Sequence, residues 1–461
     1  MRANDGWPMK VQALIVALAV LTLAAPEARA AAPVPSVRAT HTVVATLTSP
    51  PGSSPAGLAF ATRSGLLFVA NIFTDDVSVI DPRTRAVIDT VKLAGGNTCA
   101  HPLSVGYDKA HDVIYVSCQQ YLDVTAIDGT THQPIGSPIE VGSSPFGIAY
   151  NERNGDVYIV IAHTDEVVVL DGATRTIVDR IPVGTAPFGI AYDSRRGFLY
   201  VTNSQSDSVS VINGATNQVV RTIPVGSSPL GVVYDNQNDT IYVSNYFSSN
   251  VVAIDAATGQ LAAEIFVEAF PFGIALNPRD GDLYVATLGA GTVDVIDTTM
   301  NVLVESVPLG SGGVWTATDP RTGDVWVTHG DAVSELAARQ GPPLMQISPA
   351  MVNFGAQPVG SVESKFVTVT NASGRPLLVA VTTVHVPDDF SAGGGLPGST
   401  CPSPDQGLLG AGESCTQFVG FFPSEPFLGQ HETGYLQVTA YDPLSGENLE
   451  EDFVALKGIP R

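Results

Sequence analysis

Positive charge is scarce in this 461-residue chain: Lys and Arg number 22 against 45 Asp and Glu, a formal net charge of −23. A field of that sign repels polyanions, and no Lys/Arg run gathers the few cations into a patch, so nucleic acid is excluded as a partner. Catalytic signatures are also missing. There is no G-x-S-x-G, H-E-x-x-H, G-x-x-x-x-G-K-[ST] or C-x-x-C-H, and neither a haem motif nor a quinone-cofactor motif supports a redox-subunit role. Gly393 to Gly398 satisfies G-x-G-x-x-G, but Pro397 stands where a helix would have to start and no strand-turn-helix context surrounds it.

Long apolar runs are confined to the first thirty residues. Arg2 and Lys10 precede the apolar stretch Val11 to Ala25, and Ala28-Arg29-Ala30 is an A-x-A cleavage signal. About fifteen apolar residues fall short of the roughly 20 that span a bilayer, so residues 1–30 are expected to be a removed signal peptide. No later stretch is apolar enough to anchor the chain, and no cysteine follows the cleavage site to take a lipid. The mature chain, with net charge −24 once those residues are removed, is expected to be secreted, periplasmic or at the cell surface, without membrane insertion, and monomeric.

Cysteine is nearly absent too. Four cysteines in an exported chain suggest two disulfides with three formal connectivities, and local spacing selects Cys99 with Cys118 and Cys401 with Cys415.

Glycine (45) and proline (33) are abundant and punctuate short runs rich in Val, Ile, Tyr and Thr, an all-β profile. Aligned on Pro-x-Gly, repeats open at Pro55, Pro102, Pro145, Pro187, Pro229, Pro271 and Gly313, and the last four intervals are each 42 residues. The fourth copy shows four strand-like pieces: Gly189 to Asp193, Phe198 to Asn203, Ser208 to Ile212 and Gln218 to Val225. Four strands per unit of about 42 residues predicts a seven-bladed β-propeller over residues 41–338. The seventh copy stops a strand short, while His41 to Thr48 matches the fourth-strand pattern, so the N-terminal segment is expected to close the ring. The Asp or Asn at 81, 128, 171, 213, 255 and 297 reads as turn chemistry, and Asn71, Asn203 and Asn245 as side chains satisfying strand-end backbone.

Tyr200-Val-Thr-Asn203 and Tyr242-Val-Ser-Asn245, with degenerate copies such as Phe68 to Asn71 and Trp326 to His329, resemble the YVTN-repeat family of surface-layer-type propellers. That resemblance implies a propeller and no single reaction. After Pro342-Pro343 the repeats stop, and residues 344–461 carry a different strand set: Ser364 to Thr370, Leu377 to Val384, Ser414 to Phe421, Tyr435 to Ala440 and Asp452 to Lys457. Ile347 to Pro349, Val352 to Gly355, Val367 to Asn371 and Gly412 to Cys415 resemble abnormal-spindle/Hydin-type immunoglobulin-like domains, which implies a β-sandwich with an adhesive or spacing role.

Ligand sites of propellers gather on the face that carries the loops between strands two and three and the loops between blades. Residues there that break the repeat are the candidates. His101 replaces a Ser or Ala, Glu268 replaces a Gly, Phe270 is unique in its column, His163 stands beside Asp165 and Glu166, and His329 takes the place of an Asn. The expected function is an exported, non-enzymatic binding or scaffold protein whose loop face engages a protein or glycan, with no cofactor. The alternative is a lactonase-like hydrolase with a divalent metal held by some of His101, His163, Glu268 and His329.

Overall fold

Each repeat folds as a four-stranded antiparallel meander, and seven of them follow one another in sequence. The structure is a computed structural model that describes residues 41–49, 53–93, 99–120 and 122–338. Of the C-terminal part it describes 345–348, 351–359, 361–372, 377–384, 390–392, 401, 407–421, 432–441 and 448–460. Residues 1–30, expected to be a signal peptide, Pro342-Pro343 and Gly393 to Gly398 lie outside the described residues. Among the described residues no helix is long and apolar enough to cross a membrane.

Blade four follows the expected plan, with strands Pro187–Asp193, Phe198–Asn203, Ser208–Asn213 and Gln218–Pro224 running from the channel outward. The second blade trims it: its outermost strand is only Ile139–Glu140. Pro134 and Pro138 interrupt the preceding segment, and proline cannot donate to a ladder. The ring closes as expected. His41–Thr48 pairs antiparallel with Ala332–Ala338, from His41 opposite Ala338 to Thr48 opposite Ala332, and becomes the outer strand of blade seven.

Residue by residue, the Y-V-T-N column shows why it repeats. The aromatic position is buried in every blade, as Phe68, Tyr115, Tyr158, Tyr200, Tyr242, Tyr284 and Trp326, each at most 1% exposed. Several of these hydroxyls reach the next blade: Tyr158 donates to the Gly214 carbonyl at 3.1 Å, and Tyr242 to the Thr298 carbonyl at 3.2 Å. The Thr position bridges blades near the channel. Thr202 Oγ1 accepts from the Gly189 amide at 2.8 Å and donates to the Leu230 carbonyl at 2.8 Å, and Ser244 repeats this with Gly231 and Phe272. The Asn position ties off its own blade, since Asn203 accepts from the Gly184 amide and donates to Ser208 and Ser210.

The glycine of Pro-x-Gly is a packing requirement. A Cβ on Gly189 would stand 2.3 Å from the Leu230 oxygen, and Gly57, Gly147, Gly231 and Gly273 meet the following blade's carbonyl in the same way at 2.5 to 2.8 Å. The Asp and Asn residues after third strands make the expected turns: Asp128 accepts from the amides of Thr130 and Thr131, Asn213 from Ala215, and Asp297 from Thr299 and Met300.

Both expected disulfides are present, Cys99–Cys118 and Cys401–Cys415. The first joins the start of blade two to its second strand, where Pro102 pairs with Cys118. The C-terminal part forms two sheets. One runs Met345–Ser348, Glu363–Asn371, Ser414–Phe421, Phe390–Ala392. The other runs Met351–Gln357, Asn448–Pro460, Glu432–Tyr441, Leu377–Val384, Gly407–Leu409. They share an apolar core that includes Val352, Phe354, Val369, Val381, Phe421 and Leu456.

Candidate functional site

The innermost strand of every blade has a partner on one side only, so its free edge turns backbone N–H and C=O groups toward the central channel. A cavity of about 160 Å³ lies in that channel, bordered by five inner-strand glycines, by Ser104 and Trp315 in the same column, and by the residues that follow them. Toward the loop face, side chains close it. The residue after each opening proline is buried, and Phe146, Phe188 and Phe272 meet there with ring centroids 4.6 and 5.5 Å apart. Blade seven adds Trp315 in the glycine column, and its indole reaches across the channel to stack on Phe188 of blade four at 5.8 Å and 11°. The same glycine column that sets the packing therefore marked Trp315 as an exception, a signal that alignment on Pro-x-Gly leaves in plain sight.

From this lid an aromatic chain runs out to solvent. Phe272 contacts Tyr246 at 6.3 Å, Tyr246 stacks on Phe270 at 4.9 Å, and Tyr246 meets Phe247 edge-on at 5.0 Å. Phe247 is 51% exposed. It belongs to a rim column two residues past the end of each second strand: Phe73, Gln120, His163, Gln205, Phe247, Gly289 and Asp331, all exposed. Of this rim only His163 was a candidate from sequence. The others differ from blade to blade and their importance lies in shared exposure, which repeat alignment does not reveal.

The other predicted residues divide between scaffold and surface. Asp165 does not break the repeat: its carboxylate accepts from the Ala186 amide at 2.7 Å, as Asp75 accepts from His101, Asp207 from Ser228 and Asp331 from Ser54. These carboxylates hold the next blade's opening turn, where His101, Ala186, Ser228 and Ser54 all have φ between 49 and 56°. Glu166 is ion-paired with Arg180 at 2.7 Å and accepts from Thr164. His101 is partly buried and sits edge-on to Phe73 at 6.1 Å. The Glu268 amide donates to Asp294 at 2.7 Å, a fully buried carboxyl that desolvation pushes up to about 6. Phe270 is partly buried and stacked on Tyr246. His329 is buried, both ring nitrogens are engaged, by Ser311 at 2.8 Å and Ser334 at 2.7 Å, and burial lowers its pKa. It performs the Asn role of its column.

These side chains do not converge on an ion. Among the described residues, the one group of three His, Cys, Asp or Glu ligand atoms within 4.8 Å of each other is Cys99, Cys118 and Asp123, and both sulfurs are spent in the disulfide. Asp123 is itself buried and pushed up to about 6 by desolvation and by Glu140.

The two faces differ in where their cations lie, while both carry carboxylates. None of the loops between second and third strands, or between blades, contains a Lys or Arg, whereas they hold Asp75, Asp165, Asp207, Glu268 and Asp331. The two cations at nearby strand ends, Lys92 and Arg180, are paired with Asp76 and Glu166. Ten Lys and Arg lie in the turns of the opposite face. There Arg63, Arg153, Gln237 and Arg321 occupy one turn position, and each donates to a carbonyl of the following blade.

No family model matches the sequence, and no curated protein matches it. Solved structures resemble the fold. The hydrazine synthase of Kuenenia stuttgartiensis has a TM-score of 0.56 at 19% identity, over 65% of this chain and 99% of that one. Virginiamycin B lyase from Staphylococcus aureus gives 0.56 at 16% identity, over 65% and 99%. U3-55K gives 0.58 at 10%, over 64% and 99%. Identities this low establish the architecture alone: the chain is a seven-bladed β-propeller protein. Its two disulfides suit an oxidising compartment.

Proposed function

We propose that this is an exported, monomeric binding protein whose propeller loop face engages a macromolecular partner, protein or glycan, while residues 344–461 form an immunoglobulin-like domain that spaces or presents the propeller at residues 41–338. The rim column carries this reading. Six blades offer an exposed residue at the same position of this loop, and these residues vary while neighbouring columns are spent on folding; in blade seven, whose loop is two residues shorter, Asp331 is exposed and also holds the Ser54 amide. A rigid ring with interchangeable rim side chains is suited to recognition. The closed aromatic lid and the absence of converging ligand atoms among His101, His163, Glu268 and His329 favour binding over a metal-assisted hydrolase.

Immobilised protein screened against glycan and peptide panels should retain a ligand whose affinity falls about tenfold or more in Phe73→Ala/Phe247→Ala, with an unchanged melting temperature, as expected for exposed aromatic anchors. A ligand kept by that variant and lost on substitution of the opposite turns would overturn the assignment of the face.

A further inference from the structure

Resting on the loop-face reading, we propose that the partner presents a basic segment, with Lys or Arg side chains lying over Phe73 and Phe247 and between the loop carboxylates. Three observations converge on this chemistry. The loops of this face contain five carboxylate residues and no cation, whereas the ten cations in the turns of the other face stand among that face's own carboxylates, with Arg83, Arg196 and Arg321 paired to Asp81, Asp193 and Asp319. The nearby cations Lys92 and Arg180 are already neutralised by Asp76 and Glu166. Phe73 and Phe247 are about half exposed, at 48 and 51%, and exposed aromatic rings attract cations and cover their apolar stems.

Asp75, Asp165, Asp207 and Asp331 accept backbone N–H bonds that hold the opening turns, and the same four side chains lie in the loops of this face. A phosphate, a sulfated or uronic glycan, or an acidic peptide would meet this field with like charge and no compensating guanidinium. A basic segment meets it with opposite charge. Stacking against the two phenylalanines adds contact that salt does not screen.

The test separates face-specific attraction from the bulk pull of an acidic protein. A synthetic peptide combining Arg with Leu, and its Glu/Leu counterpart, are titrated calorimetrically at low and high salt. Two variants change net charge equally: Gln120→Lys/Gln205→Lys on the rim and Ala215→Lys/Ala257→Lys in the opposite turns, all four exposed positions. The Arg/Leu peptide should bind and the Glu/Leu peptide should not. The rim variant should weaken binding about tenfold, the turn variant less than about twofold, and high salt should weaken it without abolishing it. Equal weakening by the two variants overturns the proposal, because it reports bulk charge. A neutral glycan that binds through Phe73 and Phe247 while the Arg/Leu peptide does not bind overturns the basic partner and leaves the loop face standing. If nothing tested depends on Phe73 and Phe247, both fall.

Discussion

At the scale of single residues, the repeat is a set of contacts between blades. Gly189 is glycine because the Leu230 carbonyl occupies the space of a side chain. Gly189→Ala must push neighbouring blades apart, and thermal unfolding should show a loss of about 1–3 kcal/mol, the usual cost of overpacking. Thr202 serves two blades with one hydroxyl. Thr202→Val keeps the shape and strands the Gly189 amide and the Leu230 carbonyl, so denaturant unfolding should register about 1–3 kcal/mol. A loss within the noise at Thr202 would mean that water replaces the hydroxyl. These columns are legible in sequence because a packing rule is obeyed many times over. Trp315 and His329 show the opposite case: one exception crosses the channel and the other is an ordinary buried substitute, and only side-chain contacts tell them apart.

Among the elements, the closing strand carries the most weight, since it alone joins the ends of the propeller. Its first residue is fastened to blade six. The His41 amide and Nδ1 both reach Glu305, Nδ1 at 2.8 Å, and Nε2 lies 2.8 Å from the Tyr284 hydroxyl. Tyr284 donates its own proton to Asp280, so both ring nitrogens of His41 must donate, and the network is complete only with an imidazolium. Burial alone would lower the His41 pKa, but the Glu305 bond and the charges of Glu305, Asp280 and Asp282 outweigh it and raise the pKa above 6.5. A raised folded-state pKa contributes stability that is full below about 6.5 and is lost as pH rises through the folded value. The buried carboxyls Asp123 and Asp294, also raised, act in the same direction at lower pH, so the difference between wild type and His41→Gln isolates the latch. His41→Gln should be less stable by about 1–3 kcal/mol in mildly acidic buffer, with the gap narrowing as pH rises. A gap that does not depend on pH contradicts an imidazolium. The disulfide is the other fastening: Cys99→Ser/Cys118→Ser should cost about 3 kcal/mol in thermal unfolding, from the loop it closes.

Across the whole molecule, fold and site were legible to different degrees for one physical reason. Blades, closure and turns follow from patterns that folding imposes on every copy, so the period and the missing seventh-blade strand locate them in the sequence. The site consists of what folding leaves free, and freedom produces no pattern along the chain. His101 and Glu268 stood out as exceptions, Asp165 beside His163 repeats the capping role of Asp75 and Asp207, and the rim residues Gln120, Gln205 and Phe247 became visible only when the loops of the blades were compared position by position. The same placement showed that Lys and Arg gather in the turns of the opposite face and are missing from these loops.

Amide hydrogen exchange of the full chain with and without a saturating ligand tests the central claim, that the loop face is the binding face, most directly. Protection confined to the loops at 72–75, 119–122, 162–165, 204–207 and 246–249 is the result expected. Protection in the turns at 62–65, 151–155 and 194–197, with these loops unchanged, would contradict it.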